Sequence, residues 1–230
     1  MLGVVPGERV CDLMCDGGML GMALGAAVGR HGAVVLVDTD DVLLQRVARE
    51  VSGTGCAVST RIATARTVAL AEPPCDRVAS LCTFGFWEDA HMLDVAERAL
   101  RPSGRAAVLT WDEAQPPLHE VALVDALRDA AGITSPFLAR CLASPDPVKA
   151  AHWERVTLQD VVCFDGIAGY WAAMVGERPL TAELLGESEA TLRDIRAACE
   201  RALKADTAAD GTLRIPVRAT LWCCSREASA

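Results

Sequence analysis

The feature that most constrains this chain is an alternation. Up to about residue 112, short apolar runs rich in β-branched residues take turns with helical patterns. Residues 9–13 read as a strand, 18–28 as an Ala-rich helix, 33–37 as a β-branched strand and 41–50 as the helix after it. Residues 56–62 alternate apolar and polar side chains as a strand does. Another strand follows at 77–82, a helix at 92–100 and a strand at 105–111, with Pro102 and Gly104 punctuating the turn before it. Strands separated by helices return to one sheet through right-handed crossovers. The expected fold class is therefore α/β, an open, doubly wound and mostly parallel sheet.

Beyond Trp111 the rhythm changes. A helix is expected at 118–131, a Pro-bearing loop at 134–147, a strand at 156–164, a short helix at 167–175, a long helix at 188–204 and a final strand at 212–223. With 230 residues the chain reads as a single domain, 1–230. Residues 1–112 form its nucleotide-binding half and 113–230 its substrate-side half with a final β-hairpin.

Composition removes several function classes. A net charge of −9 with no basic block disfavours nucleic acid and anionic membranes, both of which need clustered Lys and Arg. Glu8 and Arg9 precede any apolar run, and the longest apolar stretch, 17–28, is too short to span a bilayer. A cytoplasmic location is expected, where the ten cysteines stay reduced and most serve as small buried hydrophobes. No Cys-x-x-Cys pair occurs and no histidine sits at ligand spacing from a cysteine, so no metal is expected. The expected partner is a small molecule, and a homo-oligomer is compatible with the sequence.

In open α/β sheets, ligands bind beyond the carboxyl ends of the strands. The first such turn here is Asp12-Leu13-Met14-Cys15-Asp16-Gly17-Gly18, and about twenty residues on the second strand ends at Asp38 and Thr39. A glycine-bearing turn plus an acid after strand two is the physical signature of an adenosyl ligand.

The segment Val10 to Gly18 resembles the first motif of S-adenosylmethionine (SAM)-dependent methyltransferases of the ubiquinone/menaquinone-biosynthesis type. Pro6-Gly7-Glu8-Arg9 is similar to that family's lead-in, and Val34-Val35-Leu36-Val37-Asp38 to its second-strand motif. Cys75-Asp76-Arg77-Val78 resembles the opening of its fourth strand, Leu100-Arg101-Pro102-Ser103-Gly104-Arg105 the approach to its fifth, and Gly211 to Pro216 its last hairpin. The resemblance runs over nearly the whole chain and implies a seven-stranded, Rossmann-like sheet whose last strand is antiparallel. It also implies a SAM cradle made of Asp12, Cys15, Asp16, Gly17, Gly18, Asp38 and Thr39.

Three departures stand beside the resemblance. Met14 and Asp16 occupy two of the family's three loop glycines, and an ionised Asp16 crowds the SAM carboxylate. Two like charges about 4 Å apart repel by about 1 kcal/mol in water and about 4 at a surface-like dielectric. A loop slipped onto Gly17 or a protonated Asp16 would relieve the conflict. The stretch Ile62-Ala63-Thr64-Ala65-Arg66 lacks the acid expected for the adenine, and only eight residues precede the first strand, where relatives carry a helical lid.

Residues after strand four line the methyl-transfer site in the family. Here Glu88 and His91 are the candidate acid–base groups, and Asp89 reads as a helix N-cap. Phe84, Trp87 and Trp111 are candidate substrate-pocket walls, and Tyr170, the sole tyrosine, a candidate catalytic hydrogen-bond donor. The sequence thus points to small-molecule, specialised-metabolite biosynthesis on a SAM-methyltransferase scaffold. A repurposed, non-methylating catalyst such as a cyclase is favoured over an active methyltransferase acting on an oxygen, nitrogen or carbon nucleophile. SAM itself is a doubtful cofactor.

Overall fold

The computed structural model describes residues 2–62, 74–81, 92–112, 114–134, 152–176 and 187–227. The Gly-punctuated, β-branched first half forms β1 (Arg9–Leu13), α1 (Met19–Val28), β2 (Ala33–Asp38), α2 (Asp41–Ser52), β3 (Ala57–Ile62), β4 (Cys75–Leu81), α3 (Met92–Ala99) and β5 (Leu100–Trp111). Then follow α4 (Leu118–Ala131), β6 (Glu154–Phe164), α5 (Gly166–Trp171), a short π-helix (Ala172–Gly176), α6 (Glu189–Leu203) and β7 (Leu213–Ser225). The strands form one seven-stranded sheet in the order β3-β2-β1-β4-β5-β7-β6. Strands β1 to β5 pair in parallel. The closing strand β7 runs antiparallel: Arg226 N–H donates to Gly104 O at one end, and Asp112 N–H donates to Arg218 O at the other. This is the doubly wound, mostly parallel sheet that the alternation implies.

Residue contacts divide the chain into two compact units. One comprises Met1–Thr110, Ala143–Val156 and Thr220–Ala230, the other Trp111–Leu142 and Thr157–Ala219. In the first unit, β2 contributes the buried run Val34, Val35, Leu36 and Val37, as a parallel strand covered on both faces should. Helix α2 lays Leu44, Val47 and Val51 on that layer, and Asp40 caps it by accepting from Leu43 N–H at 3.0 Å. Helix α1 approaches so closely that a Cβ on Gly21 would lie 2.9 Å from Leu36 Cδ2, which explains its small residues.

In the second unit, α4 and α6 pack Leu123, Leu127, Ile195, Cys199 and Leu203 around Tyr170 and Met174. Ser188 caps α6 by accepting from Thr191 N–H at 3.1 Å.

One boundary differs from the sequence reading. The turn expected at Pro102–Gly104 lies inside β5, which starts at Leu100. The ladder to β4 runs from the pair Cys75/Leu100 to the pair Arg77/Arg105, so the extra residues bulge out, with Ser103 left-handed at φ 65°. Pairing on both sides of the bulge carries the strand through a sequence that locally favours a turn. Among the described residues, no helix is long and apolar enough to cross a membrane.

Candidate functional site at the carboxyl ends of the first two strands

Strand β1 delivers Asp12 to the sheet's carboxyl edge, and the chain turns through residues 14–18 into α1. Met14, Asp16 and Gly18 all adopt left-handed backbone, with φ of 57°, 42° and 83°. Gly17 is not among the left-handed residues, so the loop has not slipped onto it. Non-glycine residues in this region cost roughly 1–2 kcal/mol each, aspartate least because its short polar side chain suits it. The conformation is held from several sides. Cys15 N–H donates to Val37 O at 3.0 Å, Asp16 N–H to Asp38 Oδ2 at 3.0 Å and Gly18 N–H to Cys15 O at 2.8 Å. At Gly18 a Cβ would lie 2.5 Å from a Val47 methyl, so glycine is required there by space as well as by backbone angle.

Asp38 is buried and accepts three amides, from Asp16, Thr39 (2.7 Å) and Asp40 (3.3 Å). A carboxylate offers about four lone-pair directions, so roughly one is left for a ribose hydroxyl. Burial raises the Asp38 carboxyl above its ordinary value against the pull of those amides. Thr39 contributes its amide to this turn.

Asp12 is only 1% exposed, and neither of its oxygens meets a hydrogen-bond partner in good geometry. Loss of solvation pushes its pKa up to about 8, with Asp38 and Asp16 adding to the rise and the Gly21 amide opposing it. Cys15 is buried, and that burial together with the three aspartates holds its thiol well above the ordinary range, so it is no nucleophile.

These residues fit SAM in part. Asp12, without a partner in good geometry, could take an ammonium group and Asp38 a sugar hydroxyl, while Asp16 adds a third acidic residue to the loop. The donor set therefore suits the positive end of such a ligand and disfavours the negative end. Among the described residues, no group of three or more metal-ligating side chains occurs.

Of the residues expected around the substrate, Phe84, Trp87, Glu88 and His91 lie outside the described residues, as does the proposed cap Asp89. Trp111 is half-buried and meets the His119 ring edge-on, with centroids 5.5 Å apart. Tyr170 requires a correction. Its side chain is fully buried and its hydroxyl donates to His119 O at 2.7 Å, so its proton braces α4 instead of reaching a substrate.

The sequence reading passed over His119 and Glu120, which are both buried, with Nε2 3.9 Å from Oε1. Their signal was positional. His119, Leu123 and Leu127 share one helical stripe, and an imidazole and an acid on the core face of α4 stand out there.

No protein-family model and no curated protein matches the sequence. Solved structures do. A Bacillus halodurans C-125 protein described provisionally as a methyltransferase is 12% identical, with 98% of this chain and 95% of that one covered at a TM-score of 0.59. A SAM-dependent methyltransferase from Geobacter sulfurreducens, solved with S-adenosyl-L-homocysteine, is 15% identical over 96% and 86% of the two chains, at 0.52. The [4+2]-cyclase SpnF is 14% identical over 98% and 78%, at 0.53. Sheet order, loop position and these likenesses agree that the chain has the fold of the SAM-dependent methyltransferases.

Proposed function

We propose that this chain is a small-molecule biosynthesis enzyme that uses the methyltransferase scaffold for a reaction other than methyl transfer from SAM. The observation that carries this reading is Asp16. It stands at a left-handed loop position where relatives have glycine, and its charge is felt at Asp12 beside it. A repulsion of about 1–4 kcal/mol against a carboxylate-bearing tail weakens SAM by roughly fivefold to several hundredfold. Catalysis then falls to a pocket that holds a flexible substrate in its reactive conformer, a proximity effect that needs no methyl donor. The fold shared with a cyclase supports this reading.

One observation favours the alternative, methyl transfer to a small-molecule oxygen, nitrogen or carbon. Met14, Asp16 and Gly18 keep a left-handed backbone path although two of them are not glycine and pay a dihedral cost for it.

Calorimetric titration with SAM separates the two. The proposal expects no micromolar binding by the wild type and a large gain in Asp16→Gly. Micromolar binding by the unaltered protein, with methyl transfer to any acceptor, would overturn it.

A further inference from the structure

We propose that the outer edge of β6 is a docking surface for a second copy of this chain, whose β6 pairs with it antiparallel across a two-fold axis and joins the two sheets. The inference rests on this strand and not on the reaction proposed above.

Strand β6 is eleven residues long and ends the sheet, with β7 on its inner side. An edge strand presents a row of N–H and C=O groups to which another strand can pair, and proteins usually protect it with Pro, Lys, a bulge or a short length. Glu154–Phe164 contains no Pro, Lys or Gly, and none of its residues takes the left-handed backbone that would break the run. Residues 154–161 are all exposed, and among them Val156, Leu158 and Val161 are 52%, 40% and 48% exposed. Three of the eight exposed large hydrophobic residues among those described therefore stand on this one strand. At the opposite edge, β3 is six residues long and carries one, Ile62.

The order of side chains along β6 selects the partner. A two-fold axis normal to the sheet sets residues of one face opposite each other in an antiparallel pair. With Gln159 on the axis, facing its own copy, Val156 lies opposite Val162 and Thr157 opposite Val161, each twice by symmetry. Such β-branched cross-strand pairs stabilise a sheet. The charges fit the same register. Glu154 lies opposite Phe164, Asp160 opposite Leu158, and Arg155 opposite Cys163 with Asp165 of the second copy next along that face. No two like charges are directly opposed. Moving the axis to Thr157 sets Glu154 against Asp160, and moving it to Asp160 sets that carboxylate against itself. Moving it to Leu158 sets Asp160 against Val156 and Arg155 against Val161. One register thus matches apolar and charged positions of the strand with themselves, as an isologous interface requires.

Sedimentation velocity of the full chain tests the pairing. One strand pair is a small interface, so a dimer that dissociates in the micromolar range is expected, with the wild type mostly dimeric at about 100 μM. Thr157→Lys and Val161→Asp each spoil one cross-strand pair in both copies and should weaken the dimer by about tenfold. Both side chains are exposed in the single chain, so neither substitution disturbs a core. The double variant sets opposite charges against each other across the interface and should recover most of the loss. A wild type that stays monomeric at that concentration overturns the proposal and leaves the edge to a strand of another protein. A dimer that neither single variant weakens uses a different surface and overturns it as well. Weakening by both single variants without recovery in the double variant overturns the pairing of β6 with its own copy.

Discussion

The two compact units differ in how they hold one kind of buried polar group. In the unit built on α4 and α6, the buried Tyr170 hydroxyl donates to His119 O and the Cys199 thiol to Ala122 O at 3.7 Å. Gly132 takes the left-handed position that ends α4. In the unit built on β1 to β5, Asp12 is buried without a good partner. All three non-glycine residues with positive φ among those described belong to that unit, two of them on the β1 loop. Strain and desolvated charge persist only where surrounding structure over-determines them, and they gather at functional sites. The contrast is an energetic reason, apart from the motif, for proposing the site in the first unit.

The largest expected effect tests the charged side of the contrast. Asp12 has a folded pKa of about 8, against about 3.9 for an unfolded aspartate. Between those values the folded state holds a proton that the unfolded chain has released, so stability falls as pH rises. The loss between pH 5 and pH 8 approaches about 4 kcal/mol from this one group, and burial of Asp38 adds to it with the same sign. Denaturant unfolding across that range should show the decline in the wild type and a much flatter profile in Asp12→Asn. Equal slopes in the two proteins would remove Asp12 from the contrast.

The well-satisfied unit should behave as an ordinary core. Leu123 is fully buried on α4 among Leu127, Ile195 and Cys199. Leu123→Ala is expected to cost about 2–5 kcal/mol, nearly independent of pH. A cost below about 1 kcal/mol would show that this face of α4 is loosely packed.

Much of the fold is legible in the sequence because parallel strands buried on both faces leave β-branched runs such as Val34 to Val37, and α2 and α6 announce their starts with Asp40 and Ser188. The bulge that carries β5 through Pro102 and Ser103 was not legible, since pairing with β4 overrides the local turn preference. At the site, the loop's location could be read from Asp12, Gly18 and Asp38. The left-handed angles of Met14 and Asp16 could not, because Val37 O and Asp38 hold the loop amides of Cys15 and Asp16 from another strand. The role of Tyr170 was hidden for a similar reason: its partner lies 51 residues away on α4.

A middle-sized effect sharpens the same comparison. Tyr170→Phe removes the donor to His119 O and leaves a buried carbonyl short of a partner, which should cost about 1–3 kcal/mol. Thermal unfolding measures it, and no loss of stability would return the hydroxyl to the list of groups available to a substrate.

The smallest expected effect is the most diagnostic, because it has the unusual sign. Asp16→Asn keeps a residue that tolerates left-handed backbone and preserves the amide that donates to Asp38, while deleting one charge that acts on Asp12. With the dihedral cost unchanged, the repulsion on Asp12 is relieved, and a gain of up to about 1 kcal/mol is expected near pH 8. The gain should fade toward pH 5, where Asp12 is protonated, and the Asp12 titration should move to lower pH in the variant. A gain of the same size at both pH values would mean that Asp16 acts through backbone geometry and not through charge. The electrostatic difference between the two units would then rest on Asp12 and Asp38 alone.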